Sequence, residues 1–169
     1  SAGDVDAGPG VPAMVLYLIL YAVLVIGSFG VVSIVVRQNG GDSSLDAFKG
    51  LISRRPLLAL TFTVFLLAQA GVPFTTGFIA KFGVIQAAVE EHSYALAVIA
   101  MVAAVVAAYL YLRIMVSMWL APADDVAGRI SVPFSAGLAV VVSAVFTIVV
   151  GIFPGWLIEA ADLVTQYAR

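Results

Sequence analysis

Lys81 is the residue most able to do chemistry in this chain. It lies in the run Phe78 to Val89, whose only other polar side chain is Gln86. Upstream, Leu57 to Ala70 is apolar apart from Thr61, Thr63 and Gln69. Between the two runs stands Gly71-Val72-Pro73-Phe74-Thr75-Thr76-Gly77. An ammonium at bilayer depth costs on the order of several kcal/mol unless it is paired or hydrated. Lys81 sits too deep for its stem to reach the interface comfortably. Burial and a neighbouring carboxylate move a lysine pKa in opposite directions, and a group that its neighbours can tune is what proton relaying needs. Lys81 is therefore expected to alternate protonation states in a buried, hydrated path. The unwound backbone of Gly71, Val72, Pro73, Thr75, Thr76 and Gly77 would offer carbonyls and N–H groups to water. The alternative is a static buried ion pair that holds helices together.

Length arithmetic sets the elements that must position Lys81. One continuous helix from Leu57 to Glu90 would be about 51 Å long, against a hydrocarbon core of about 30 Å. The same stretch is too short for two full spans. A Gly-x-Pro break in the middle resolves the conflict as two half-helices meeting at membrane depth, tolerated where the backbone is buried in protein or lines a polar cavity. A kinked ordinary span with a long overhang is the other solution. Pro56 suits the first position of the first half-helix, and Thr75 and Thr76 suit the cap of the second. Gln69 and Gln86 are candidates for a water or proton path, or for hydrogen bonds between helices.

The remaining organisation follows from charge and periodicity. Residues 1–12 form a small, acidic, flexible segment without Lys or Arg, so they lack the basic region of a signal peptide. Without a leading Met, they read as a loop of something longer. Residues 13–36 are an uncharged span, in which Gly27 and Gly30 permit close helix approach and Ser28 and Ser33 read as packing residues. Tyr17 and Tyr21 read as interfacial aromatics. In 37–55, Leu45, Phe48, Leu51 and Ile52 recur at helical spacing opposite Asp46, Lys49 and Ser53, which predicts a short amphipathic helix on the membrane surface; a partly ordered loop is the alternative. The discontinuous span covers 56–91, with Glu90, Glu91 and His92 in a solvated turn. A further span covers 93–120, with Tyr109, Tyr111 and Trp119 as an aromatic belt and Arg113 near its end, facing lipid headgroups or a carboxylate. A polar loop (121–131), a last span (132–153) and an interfacial helix (154–169) complete the chain. The fold class is all-α integral membrane, with about four transmembrane helices.

Composition narrows the function classes. Of the 169 residues, 63% are hydrophobic and 11% charged, far from the roughly half apolar and quarter charged make-up of soluble domains. Net charge is −2, so nothing favours nucleic acid as a partner. Cysteine is absent and His92 is the single histidine. Disulfides, thiolate metal sites, Fe–S ligation and multi-histidine metal sites are excluded within this sequence, and no metal site, nucleotide loop or hydrolytic triad is visible. The basic residues Arg37, Lys49, Arg54 and Arg55 cluster in one loop, while Arg113 and Arg129 flank the other. The positive-inside rule then places both loops in the cytoplasm and residues 1–12, the Glu90–His92 turn and the tail outside.

Taken together, Ala70-Gly71-Val72-Pro73-Phe74-Thr75-Thr76-Gly77-Phe78-Ile79-Ala80-Lys81-Phe82 and the later Ala108-Tyr109-Leu110-Tyr111-Leu112-Arg113 with Met118 resemble the antiporter-like, proton-translocating membrane subunits of respiratory complex I (NADH-quinone oxidoreductase). The pattern is nearest that of the N-type subunit. The M-type has a glutamate where Lys81 stands, and the L-type has a Ser-Lys-Asp-Glu run where Lys81 is followed by Phe82 and Gly83.

The resemblance covers nearly all of 13–168. It implies a parent of about fourteen spans in two inverted repeats, each with a discontinuous helix. The present spans would be its C-terminal portion, and the family's terminal channel lysine falls on Lys81. It also implies a translocase subunit of a bacterial inner membrane, without a redox centre or cofactor of its own. NADH, FMN, Fe–S clusters and quinone belong to partner subunits. Partners would be other membrane subunits of complex I, the remainder of the same antiporter-like module and the lipid bilayer. Alternatives are a subunit of a multi-subunit cation/proton antiporter or a membrane-bound hydrogenase, and a structural membrane anchor.

Overall fold

The computed structural model describes residues 10–73, 75–122, 131–153 and 155. The predicted interfacial helix at 154–169, most of the acidic segment 1–12 and most of the loop 121–131 lie outside the described residues. Helix α1 runs Gly10–Gln38, α2 is a single turn at Leu51–Arg54, α3 is Pro56–Ala70, α4 is Thr76–Glu90, α5 is Tyr94–Leu120 and α6 is Phe134–Ile152. Among the described residues, three helices are long and apolar enough to cross a membrane: Tyr17–Gln38, Tyr94–Leu120 and Phe134–Ile152. Neither α3 nor α4 reaches across alone, since 15 residues each give about 22 Å. α1 begins at Gly10, earlier than the expected Ala13, because Pro12 falls within the first turn, where its missing N–H has no helical partner to lose.

α1 packs along α6 on one side and along both half-helices on the other. The register is read from three contacts. Gly27 abuts the Phe65 ring, so closely that any Cβ there would collide with it. Ser28 meets Gln69, and Leu20 meets Ala80 and Val150 in one buried cluster. Descending numbers on α1 thus meet ascending numbers from α3 into α4, and α1 runs antiparallel past the break like a splint. Val140 closes on Gly30 and Val150 on Leu20, so α6 is also antiparallel to α1. The two glycines expected to permit close approach do so, against different neighbours.

The main core sits toward the end of the bundle that carries the 39–55 loop. Val31, Ile34 and Val35 of α1, Phe48 and Leu51 of the loop, Phe62, Phe65 and Leu66 of α3, and Met115 and Met118 of α5 bury one another there. The loop differs from a single surface helix. Gly50 adopts φ 60 and divides it into a 3-10 turn, Leu45–Phe48, and α2. Phe48 and Leu51 then point into the bundle. Gly50 donates its N–H to the Ser117 carbonyl at 3.2 Å, and the Ser117 hydroxyl donates to the Leu45 carbonyl at 3.3 Å. Arg54 donates to the Asn39 side-chain oxygen at 3.1 Å, while Asn39 donates to the Val35 carbonyl at 2.9 Å, tying the loop to the end of α1. Asp42 accepts from the Ser44 N–H at 2.8 Å and hydroxyl at 3.0 Å; these bonds hold its carboxyl below the usual range. At the opposite end, His92 takes φ 55 and turns α4 into α5.

Gly27→Val should destabilise the chain by about 1–3 kcal/mol through overpacking against Phe65. Thermal unfolding in detergent would register this as a lowered midpoint relative to the parent. Gly83→Ala is the matched control, because a Cβ there meets nothing within 4 Å.

Candidate functional site

The site is the junction of α3 and α4. α3 ends because Gly71 enters the left-handed region at φ 85, which a side chain disfavours. Gly71 donates its N–H to the Ala68 carbonyl at 3.0 Å and Val72 donates to the Leu67 carbonyl at 3.1 Å. This pairing is a Schellman closure, which satisfies two of the last carbonyls of a helix. It leaves the carbonyl of Gln69 facing the gap. α4 begins with Thr75 in an extended conformation. Its hydroxyl accepts from the Phe78 N–H at 3.4 Å and donates to the Val72 carbonyl at 2.6 Å, so Thr75 performs the capping expected of it.

Lys81 reaches back across the gap. Its Nζ donates to the Gln69 carbonyl at 2.5 Å. A cation is thereby placed on the orphan carbonyl at the negative end of the α3 dipole. The lysine stem lies over Gly71, where a Cβ would stand 3.2 Å from Cδ. Gly77 lies against the Ala68 carbonyl, and any Cβ on Gly77 would run into that oxygen. The two glycines of the break thus do different work. Gly71 supplies the left-handed turn, and Gly77 supplies the close approach that brings Lys81 within reach of α3.

The Gln69 side chain turns the other way and donates through Nε2 to the Ser28 hydroxyl. Gln69 and Ser28 are both buried. One polar line therefore runs from α1 through α3 to α4: Ser28 hydroxyl, Gln69 amide, Gln69 carbonyl, Lys81 ammonium. Among the described residues no carboxylate pairs with Lys81; the ion pair found joins Lys49 and Asp46 at 2.8 Å in the exposed loop. The Thr76 hydroxyl is fully buried and has no hydrogen-bond partner among the described residues.

Sequence reasoning singled out Lys81, Gln69, Gly71, Pro73, Thr75, Thr76 and Gly77, and the structure gathers these at the junction. Pro73 is exposed in the connecting turn. Gln86 is not brought there: it points outward and donates to the Glu90 carboxylate at 2.9 Å. Ser28, read as a packing residue, was missed as a polar member of the site. The available signal was its position inside an apolar span beside Gly27, where a neighbouring helix must approach closely. Arg113 is exposed. Among the described residues, no group of three His, Cys, Asp or Glu side chains could hold a metal ion.

An interrupted helix with a lysine on its broken end, splinted by an intact antiparallel helix, has the form of the discontinuous helices found in membrane transporters. The chain belongs to the NADH:quinone oxidoreductase/Mrp antiporter transmembrane family, whose model matches residues 5–107. It is 38% identical to NADH-quinone oxidoreductase subunit N 1 of Solibacter usitatus over 90% of this chain and 32% of that protein. It is 36% identical to NADH-quinone oxidoreductase subunit N of Rhodococcus opacus over 95% of this chain and 30% of that one. The chain thus spans about a third of the length of the curated relatives it matches. A chain of respiratory complex I from Thermus thermophilus shares the fold, with TM-score 0.73 and 27% identity over 89% of this chain and 34% of that chain.

The two glycines should respond differently to a methyl group. Gly71→Ala adds the strain of a left-handed alanine, about 1 kcal/mol. Gly77→Ala forces the half-helices apart and should destabilise more, on the order of 3 kcal/mol or beyond. Thermal unfolding of both variants in detergent checks the order. Equal losses would mean that Gly77 does not set the approach of α4 to α3.

Proposed function

We propose that this chain is part of a membrane-arm subunit of a proton-pumping NADH:quinone oxidoreductase in a bacterial inner membrane, and that it contributes the terminal part of a proton translocation channel. The observation that carries the reading is the bond from Lys81 to the Gln69 carbonyl across the broken helix. A carbonyl stabilises an ammonium without neutralising it. A lysine held in that way can release its proton when a competing charge or water approaches, whereas a tight carboxylate pair would resist release.

The residues fall into roles on this reading. Lys81 holds and passes the proton. Gln69 and Ser28 fix the acceptor in place from α1. The buried hydroxyl of Thr76 is suited to binding water in the gap, as buried polar groups without protein partners usually do. Gln86, with Glu90, belongs to the path only as an element near its outer end. With the basic 39–55 loop in the cytoplasm, α3 enters from the inside and α4 leaves toward the outside. NADH oxidation, FMN, the Fe–S clusters and quinone reduction lie in partner subunits, and this chain holds none of these groups itself. Its partners are the other membrane subunits, the remainder of the same module and lipid.

The family's description also covers Mrp antiporters, so a cation/proton antiporter subunit is the second reading. Copurification with flavin and Fe–S subunits separates the two.

The decisive variant is Lys81→Met in the assembled complex, reconstituted in proteoliposomes. NADH-driven proton uptake should fall by at least about tenfold, the effect of removing a positioned proton-transfer group, with assembly intact. Normal proton uptake per NADH in the assembled variant would overturn the relay role.

A further inference from the structure

Buried polar groups are distributed unevenly about the junction. Among the described residues, the buried polar side chains are Ser28, Gln69, Thr76, Ser117, Ser143 and Thr147. Ser28 and Gln69 meet at the end of α3, and Thr76 opens α4. α6 is antiparallel to α1, with Val140 on Gly30 and Val150 on Leu20. Ser143 is therefore level with Gly27, and Thr147 lies one turn further from the 39–55 loop. These residues sit at the level of the break or on the side away from the loop. Ser117 alone lies toward the loop, and its hydroxyl donates to the Leu45 carbonyl at 3.3 Å.

On the loop side the bundle is filled by apolar groups. From Gln69 back to Leu58 is about 16 Å of α3, and Leu58, Phe62, Phe65 and Leu66 are all buried along it. Thr61 and Thr63 lie on the same stretch, but each donates its hydroxyl to a carbonyl of its own helix. Phe48 of the loop meets Phe62, ring centroids 5.8 Å apart, and Leu51 is fully buried in the same cluster. This insertion is latched on both flanks. Asn39, just past the end of α1, donates to the Val35 carbonyl at 2.9 Å and the Ala47 carbonyl at 3.3 Å, and accepts from Arg54 at 3.1 Å. On the α5 flank, Gly50 donates its N–H to the Ser117 carbonyl at 3.2 Å.

We propose that Phe48 and Leu51 form the inner seal of the Lys81 path, a plug set into the loop end of the bundle and latched by Asn39 and Ser117. Water occupies a protein interior where polar groups bind it, and apolar constrictions stay dry. The plug therefore keeps Lys81 open to one side only, outward along α4, where none of the residues from Gly83 to Ala88 is buried. A lysine that both sides reached at once would leak protons down the gradient the complex builds. The inference deepens the proton-channel reading above and rests on it.

The test is the decay of an imposed pH gradient, without NADH, across proteoliposomes that hold the assembled complex. Phe48→Ala opens the plug, and Asn39→Ala cuts the latch while leaving every core side chain in place. In each, the gradient should decay about tenfold faster than in the parent, as when a barrier falls by about 1.4 kcal/mol. Adding Lys81→Met to either variant should return the decay to the parental rate, because the leak runs through the lysine. Where Phe48→Ala lowers the yield of complex, Asn39→Ala decides. Parental tightness in an assembled variant, or a leak that Lys81→Met leaves unchanged, would overturn the seal. Pumping by Lys81→Met with the native loop is measured alongside. A loss there with tight loop variants removes the seal alone, whereas normal pumping there removes the channel reading and the seal with it.

Discussion

A charge inside an apolar bundle must be compensated, and the compensation found here is a backbone carbonyl. The Lys81 ammonium bonds the Gln69 oxygen at 2.5 Å, on the open end of a helix where Gly71 and Val72 close the carbonyls of Ala68 and Leu67. The rest of the junction serves that bond. In an unbroken helix the Gln69 carbonyl would look for the N–H four residues on, but that residue is Pro73, which has none. Pro73 thus leaves the acceptor free, the turn at Gly71 opens the chain beside it, the bare Cα of Gly77 lets α4 come close enough, and Thr75 closes the N-terminus of α4. Break and lysine are one device: the interruption supplies the acceptor that makes the half-buried cation tolerable.

That device needs a rigid surround, because two half-helices share no continuous hydrogen-bond ladder across their junction. α1 supplies it. It runs antiparallel past both halves and is held to α3 by Gly27 against Phe65 and by the Ser28–Gln69 bond, and to α4 through Leu20 and Ala80. α6 backs α1 from the far side. Contacts at the loop end anchor α5, where Ser117 is bonded to Leu45 and Gly50. Much of α5 is left exposed along its length.

Much of the junction was legible in the sequence because its constraints are local. A segment too long for one span and too short for two, with Gly-x-Pro at its middle, has few solutions in a bilayer. Thr75 as a cap follows from side-chain chemistry within a few residues. The loop was less legible: the apolar spacing of Leu45, Phe48, Leu51 and Ile52 fits a surface helix, but Gly50 at φ 60 splits it and turns Phe48 and Leu51 inward. Tyr17 and Tyr21 read as interfacial aromatics from their position alone, whereas in the structure their rings stack 5.4 Å apart and Tyr17 packs on the cluster of Leu20, Ala80 and Val150.

The sequence by itself determined the membrane setting, the helices, the place of the break and the presence of a buried lysine in it. Those follow from hydropathy, length and the backbone preferences of glycine and proline, which act over a few residues. Only the tertiary structure decided what the lysine touches. Its acceptor is a main-chain carbonyl, a group every residue carries, so no side-chain pattern could announce it. The roles of Ser28 and Gln69, and the separation of Gln86 from the site, depend on the register of α1 and on which way each helix is rotated. Those are fixed by contacts such as Gly27 with Phe65, between residues far apart in the chain.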